Sequence, residues 1–301
     1  AEGRVAWVEP FGRGGSLNST PIRVDGDFQR LRELQSGAWV FTSATLAAGT
    51  DFSHFRNQLG LADARTLRLE SPFDFENQAR LYLPKGLPDP NETGYASRIA
   101  QLALPIIEAS GGGVFVLCTS HRALREIAAL LRTGMDYPLL VQGEGSRTEL
   151  LDSFTRAGNA VLVGTASFWE GVDVRGLALR VVIIDRLPFA ALGDPVFDAR
   201  LAAIREAGGD PFTSYQLPQA IMALRQGVGR LIRDPGDRGL LVLCDPRLRS
   251  RPYGKRILAS LPAMPRLETL AEAQAWLRII SPLPPGEGGA KRRVRAEGAE
   301  S

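Results

Sequence analysis

The run Gln226-Gly-Val-Gly-Arg230-Leu-Ile-Arg233 carries the residue types and spacings in this sequence best suited to chemistry. Projected as a helix at about 100° per residue, the longer stretch from Leu217 to Arg233 separates into two faces. Gln219, Gln226, Arg230 and Arg233 share one narrow stripe. Ile221, Leu224, Val228, Leu231 and Ile232 lie opposite, where a core would take them. A guanidinium is a rigid fork of donors that stays charged at any working pH, so two on one stripe suit phosphate oxygens and developing phosphoryl charge. The competing reading is a solvated basic face. Gly227 and Gly229 weigh against it: each costs about 1 kcal/mol relative to alanine inside a helix, which points to something approaching that backbone closely.

Three further runs place hydroxyls, glycines or carboxylates just after short apolar stretches. They are Cys118-Thr119-Ser120-His121, Gly164-Thr165-Ala-Ser167-Phe-Trp169-Glu170-Gly171-Val-Asp173, and Asp185-Arg186-Leu-Pro188-Phe189. Small hydroxyls and open backbone N–H groups at strand ends and helix N-termini suit phosphate or a sugar–phosphate backbone. For Thr119 and Ser120 taken alone, plain helix capping is the simpler explanation. Glu170 and Asp173, three apart beside Gly171, fit one shared site or a loop salt bridge with Arg175 or Arg186. Trp169 reads more readily as core than as a base-stacking platform. Ala38-Trp-Val-Phe41 reads as a buried strand delivering Thr42, Ser43 and Thr45 at its C-terminal end, the end at which open α/β sheets bind ligands.

The elements that would hold these groups follow from periodicity. The 301 residues are 44% hydrophobic and 23% charged, which fits a globular chain of one large or two small domains. A net charge of +3 with arginines clustered from Arg225 to Arg256 tolerates an anionic partner. Cys118 and Cys244 sit in apolar runs and read as buried thiols of a reducing compartment, and two histidines are too few for a histidine metal cluster. No apolar run reaches transmembrane length, and no signal peptide is visible. Val5–Val8 and Pro21–Val24 are strand candidates around a Gly-rich turn. Phe52, Phe55 and Leu59 have helical spacing, and a strand pair is predicted at Thr66–Leu69 and Ala79–Leu83. From there helices (95–109, 122–131, one opened by the Ser146–Glu149 capping box, and 267–280) alternate with apolar strands (114–117, 139–141, 161–163, 180–184, 239–243). That alternation predicts an α/β fold with a parallel sheet covered by helices on both faces. Pro282–Ser301, Pro/Gly-rich and then basic, reads as a disordered tail.

The order of these motifs resembles superfamily 2 helicases. Thr42-Ser-Ala-Thr-Leu46, Cys118-Thr-Ser120, Ser167-Phe-Trp-Glu-Gly-Val-Asp173, Asp185-Arg-Leu-Pro-Phe189 and Gln226–Arg233 are similar to motifs III to VI, and most narrowly to the DinG-type branch of the XPD-like DNA helicases. The resemblance covers about residues 38–265. It implies a RecA-like fold, the second motor lobe of an ATP-dependent, 5′→3′ DNA helicase. It further implies arginine fingers at Arg230 and Arg233, a nucleotide edge at Gln226 and Gly229, and a link to the DNA track at Glu170, Gly171 and Asp173. Single-stranded DNA backbone would be held by Thr119, Ser120, Gly164 and Thr165, and Ser43 and Thr45 would couple the lobes. Residues 1–46 would close the first lobe and the junction, 47–281 would form the C-terminal lobe, and 282–301 the tail.

Three family parts are missing from the sequence: a P-loop, an Asp-Glu-Ala-His box, and the four cysteines of an iron–sulfur cluster. All precede motif III in such helicases. The resemblance therefore implies the C-terminal part of a longer, monomeric, cytoplasmic and nucleoid-associated enzyme with no membrane contact. ATP and most Mg²⁺ ligands would be met in its own N-terminal motor lobe, and an iron–sulfur cluster, if the full-length protein carries one, would find no ligands here. Two other readings stand beside it: a stand-alone nucleic-acid-binding or protein-interaction module without ATPase activity, and an RNA helicase lobe. The two arginines argue against a pure platform, which has no use for them.

Overall fold

The computed structural model describes residues 3–43, 45–165, 168, 178–190 and 193–281. Strands β1 (Arg4–Phe11) and β2 (Gly14–Pro21) make an antiparallel hairpin of their own. Short helices α1 (Asp25–Glu33), α2 (Ser53–Leu59) and α3 (Phe75–Gln78) lead to β3 (Ala79–Tyr82). Then come α4 (Tyr95–Ser110), β4 (Val114–Cys118), α5 (His121–Gly134), β5 (Leu139–Val141), α6 (Arg147–Ala157) and β6 (Val161–Thr165). Strand β7 (Val181–Ile184) is followed by α7 (Pro195–Glu206), a wide helical turn at Phe212–Gln216, and α8 (Leu217–Val228). The described chain closes with β8 (Gly239–Leu243), α9 (Arg247–Ser250), α10 (Pro252–Ser260), β9 (Arg266–Leu267) and α11 (Leu270–Ile280).

Seven strands form one parallel sheet in the order β5-β6-β4-β7-β8-β3-β9. The strand sequences are apolar without alternation because both faces are covered. Phe115, Leu117, Leu162, Val182, Ile184, Leu241 and Leu243 point into one core with Leu150 and Phe154 of α6 and Ile221, Leu224 and Val228 of α8. Val114, Val116, Val161, Val163, Val181, Ile183, Leu240 and Val242 point into the other, against α4, α5 and α11. The tight connection before β4 needs glycine. Gly111, Gly112 and Gly113 all have positive φ, and a Cβ on Gly112 would lie 1.9 Å from the Asn159 carbonyl oxygen.

The strands expected at 79–83, 114–117, 139–141, 161–163, 180–184 and 239–243 and the helices expected at 95–109, 122–131, after Ser146 and near 267–280 are present with shifted ends, including the capping box at Ser146 and Glu149. Several early expectations do not survive. Ala38–Phe41 is irregular, among the described residues no strand pairs with it, and Val40 is 82% exposed. Its two aromatics instead join Phe28 and Phe55 in a small ring cluster, with centroids 5.4 Å apart for Phe28–Trp39 and for Phe41–Phe55. Thr66–Leu69 is irregular, with Leu67 and Leu69 exposed by 78% and 79%. The second hairpin strand is Gly14–Pro21, not the expected Pro21–Val24, with which it shares only Pro21. Helix α7, which periodicity missed, docks the hairpin: the Arg200 Nε–H donates to the Ile22 carbonyl at 3.1 Å, and its Nη1 to the Tyr215 hydroxyl at 2.9 Å.

Candidate functional site

The arginine-bearing segment is not one helix. Helix α8 stops at Val228, and the Arg230 and Leu231 N–H groups donate to Gly227 and Val228 carbonyls at 3.2 and 3.0 Å, a tightening turn. Arg230 therefore stands on a turn and Arg233 on the irregular segment after it, not on the expected helical stripe. Their apolar anchor is as expected. Ile221, Leu224, Val228, Leu231 and Ile232 are all at most 1% exposed and lie in one core. Leu231 and Ile232 are both seated in that core from the turn and the residue after it. Beyond Arg233 the path is clamped. The buried Asp237 carboxylate accepts from the Arg233 and Asp234 N–H groups, both at 2.9 Å. Gln78 Nε2 reaches the carbonyls of Asp234, Pro235 and Asp237 at 2.9, 3.0 and 2.9 Å. Gly229 is exposed, and the first atom a Cβ there would meet is the Arg225 carbonyl oxygen at 3.3 Å, within the helix itself.

Both guanidiniums are half-buried, and burial is the main influence lowering their pKa. At Arg230 a second cation, Arg147, pushes the same way; at Arg233, Asp237 opposes it. Arg147 opens α6 and lies over the Phe168 ring, 5.7 Å from its centroid. Phe168 in turn packs on Gly164, where a Cβ would come within 3.1 Å of the Phe168 Cβ. Arg230 is thus connected through Arg147 and Phe168 to the end of β6.

At that end the Gln142 side-chain oxygen accepts from the Thr165 N–H at 2.6 Å and from its hydroxyl at 3.0 Å. Thr165 pairs in register with Cys118, so the β6 and β4 ends lie side by side. Ser120 caps α5, its hydroxyl accepting from the Ala123 N–H at 3.2 Å. The Thr119 N–H and hydroxyl donate to Asp185 at 3.0 and 3.4 Å. Asp185, 1% exposed at the end of β7, also accepts from the Arg186 N–H at 2.6 Å and faces the Arg186 guanidinium at 3.6 Å. Burial raises its pKa to about 6 against the lowering effect of these partners, Arg186 foremost.

The expected junction residues meet α8 directly. Gln226 Nε2 donates to the Thr45 hydroxyl at 3.2 Å, Thr45 lies 3.3 Å from the Ser43 hydroxyl, and Arg225 Nη1 donates to the Ala47 carbonyl at 2.8 Å. Glu170, Gly171 and Asp173, with Ser167 and Trp169, lie outside the described residues, as does the tail from Pro282. Gln78, Gln142, Arg147 and Asp237 went unnoticed in the sequence. Each is a lone polar residue without a motif, and only the folded contacts reveal what it holds. Among the described residues, no group of three or more His, Cys, Asp or Glu side chains could hold a metal ion, and both cysteines are free and buried. No helix among them is long and apolar enough to cross a membrane.

A family model described as the helicase C-terminal domain matches residues 103–264. The chain is 50% identical over 275 residues to the ATP-dependent DNA helicase YoaA of Escherichia coli, which covers 91% of this chain and 43% of that protein. It is 36% identical over 293 residues to the 3′-5′ exonuclease DinG of Bacillus subtilis, covering 91% and 31%. The chain thus spans less than half the length of these relatives. Among solved structures, S. cerevisiae Dbp5 bound to RNA and ADP BeF3 is 16% identical, covers 85% of this chain and 58% of that one, and superposes with a TM-score of 0.54. That likeness shows the fold, a RecA-like helicase lobe.

Proposed function

We propose a function from one premise: the chain belongs to the helicase C-terminal domain family. It is the second motor lobe of an ATP-dependent DNA helicase, with Arg230 and Arg233 as the arginine fingers and unwinding in the 5′→3′ direction. The observation that carries this reading is the pair of half-buried arginines on a segment clamped by Asp237 and Gln78, with Arg147 adding a second positive charge beside Arg230. A preorganised cationic site of this kind suits a γ-phosphoryl group whose charge is shifting. Gln226 and Gly229 would shape the nucleotide edge, together with Glu170, Gly171 and Asp173. Thr119, Ser120, Gly164 and Thr165, at adjoining strand ends, would track single-stranded DNA backbone. The hydrogen bond from Gln226 to Thr45 supports Ser43 and Thr45 as the coupling element. The sequence has neither a P-loop nor an acidic box, so this reading assigns those parts, and the Mg²⁺ ligands, to a first motor lobe of the same protein. The whole would work as a monomer on DNA in the cytoplasm. The name of the E. coli relative agrees with helicase activity, and that relative is more similar to this chain than the exonuclease is.

The test is ATP hydrolysis and nucleotide affinity measured on the same Arg230→Ala or Arg233→Ala protein, in the intact helicase. Hydrolysis should fall by roughly 10³- to 10⁵-fold while ATP still binds, because the fingers act on charge that develops in the transition state. Arg→Lys should rescue poorly, since an ammonium lacks the planar fork. Hydrolysis within a few-fold of wild type in both alanine variants would remove the finger assignment.

A further inference from the structure

The arginine cluster noted in the sequence extends past the proposed fingers into Arg247-Leu-Arg249-Ser-Arg251-Pro-Tyr253-Gly-Lys255-Arg256, five cations around one tyrosine. In the fold this run, which spans α9 and most of α10, meets two aromatics from other segments. Tyr253 lies 5.1 Å from Phe212 and 5.9 Å from Phe189, and Phe189 lies 5.7 Å from Phe212. The three rings are only partly buried, so they roof the core and leave ring surface at the boundary with solvent. Phe189 belongs to the loop after β7, the loop that begins with Asp185 and Arg186.

The loop carrying Phe189 is held firmly. Asp245 accepts from the Leu187 N–H at 2.7 Å and from Arg247 Nε and Nη2 at 2.9 and 2.6 Å, and Arg247 lies over the Phe189 ring at 5.5 Å. Arg247 is therefore spent on positioning. Arg249, exposed, donates to the Leu83 carbonyl, and Asp51 lies within electrostatic reach of Arg256. Arg251, which acts on Tyr253 electrostatically, and Lys255, two residues along the helix from it, remain as exposed cations. Asp245 and Asp89 are the carboxylates from outside the run that act on both Arg247 and Tyr253.

We propose that Tyr253, Phe189 and Phe212 form a base-stacking subsite for single-stranded DNA, with Arg251 and Lys255 engaging the flanking phosphates. This rests on the DNA-track reading of Thr119, Ser120 and Thr165, and extends that track from the ends of β6, β4 and β7 to the elements after β8. Rigid aromatic faces beside cations suit unpaired bases of any sequence, whereas duplex DNA keeps its base faces stacked inside. The subsite thus selects single strands without selecting sequence.

The experiment compares the 301-residue chain's affinity, by fluorescence anisotropy, for an oligo-dT strand and for an abasic strand of equal length. The wild type should prefer oligo-dT. Tyr253→Leu, which keeps apolar volume over the core, should lose on the order of tenfold for oligo-dT and leave abasic binding unchanged. Tyr253→Phe should keep the preference. Lys255→Gln should weaken both strands alike and make binding less salt-sensitive. A wild type that binds both strands equally, or a Tyr253→Leu protein of unchanged melting temperature that keeps its preference, overturns the subsite and leaves the track standing. A wild type that binds neither strand overturns both.

Discussion

Asp185 shows how much one buried side chain can hold. It receives the Thr119 backbone and hydroxyl from one strand end and Arg186 from its own, so two loops of the proposed track share one carboxylate. Its pKa of about 6 lies above the ordinary aspartate value near 3.8. Between those values the folded state holds a proton that the unfolded chain releases, so stability falls as pH rises through that window. A shift of about two pKa units corresponds to roughly 3 kcal/mol. Asp185→Asn mimics the protonated form, and the stability of wild type relative to this variant should decline by about that amount from pH 4 to pH 7. Urea midpoints over a pH series measure it. A constant difference would mean that Asp185 does not titrate there.

The start of α5 sets capping against phosphate contact. Ser120 caps α5, yet it is also an expected DNA contact. Ser120→Ala should cost about 1 kcal/mol in stability through the lost cap. Ser120→Asp restores a capping oxygen and favours the helix N-terminus, but adds a negative charge where a phosphate is expected. If both roles are real, the aspartate variant melts like wild type and binds single-stranded DNA several-fold more weakly. Normal DNA binding by Ser120→Asp would leave only the cap. The turn after α8 is a second case at this scale. Its departure from the helix puts Arg230 and Arg233 on backbone fixed by Asp237, so Asp237→Asn should loosen the segment and reduce ATP hydrolysis in the intact helicase with little change in DNA affinity. A kinetic assay beside anisotropy separates the two effects.

For the whole molecule, the two-sided core makes the sheet the rigid part and the strand-end loops its cargo. Ile183 is fully buried between neighbouring strands and helices, and Ile183→Ala should cost about 2–5 kcal/mol by chemical denaturation. The chain by itself should bind single-stranded DNA weakly, with affinity falling steeply as salt is added, since phosphates supply most of the attraction. It should release no phosphate from ATP in the presence of Mg²⁺ and DNA, because its sequence holds neither a P-loop nor an acidic box. Turnover above a denatured control would contradict the reading of this chain as the second motor lobe alone.

The sequence alone determined the parallel sheet, because strands such as Val114–Cys118 and Gly239–Leu243 bury both faces and must read as unbroken apolar runs. It also determined the helix caps, whose partners lie three residues away, as in Ser146 and Glu149. The family resemblance was legible for the same reason: the motif runs are local and come in order. What followed from long-range contacts was not legible. Ala38–Phe41 has a strand's composition, but its rings found α1 and α2, and no hydrogen-bonding strand joins it among the described residues. Helical projection carried Arg230 and Arg233 on past Val228. The clamps from Gln78 and Asp237 hold the backbone on another path there, with Leu231 and Ile232 still in the core. Gln78 lies 156 residues from the Asp234 carbonyl that it meets, a distance no local pattern spans.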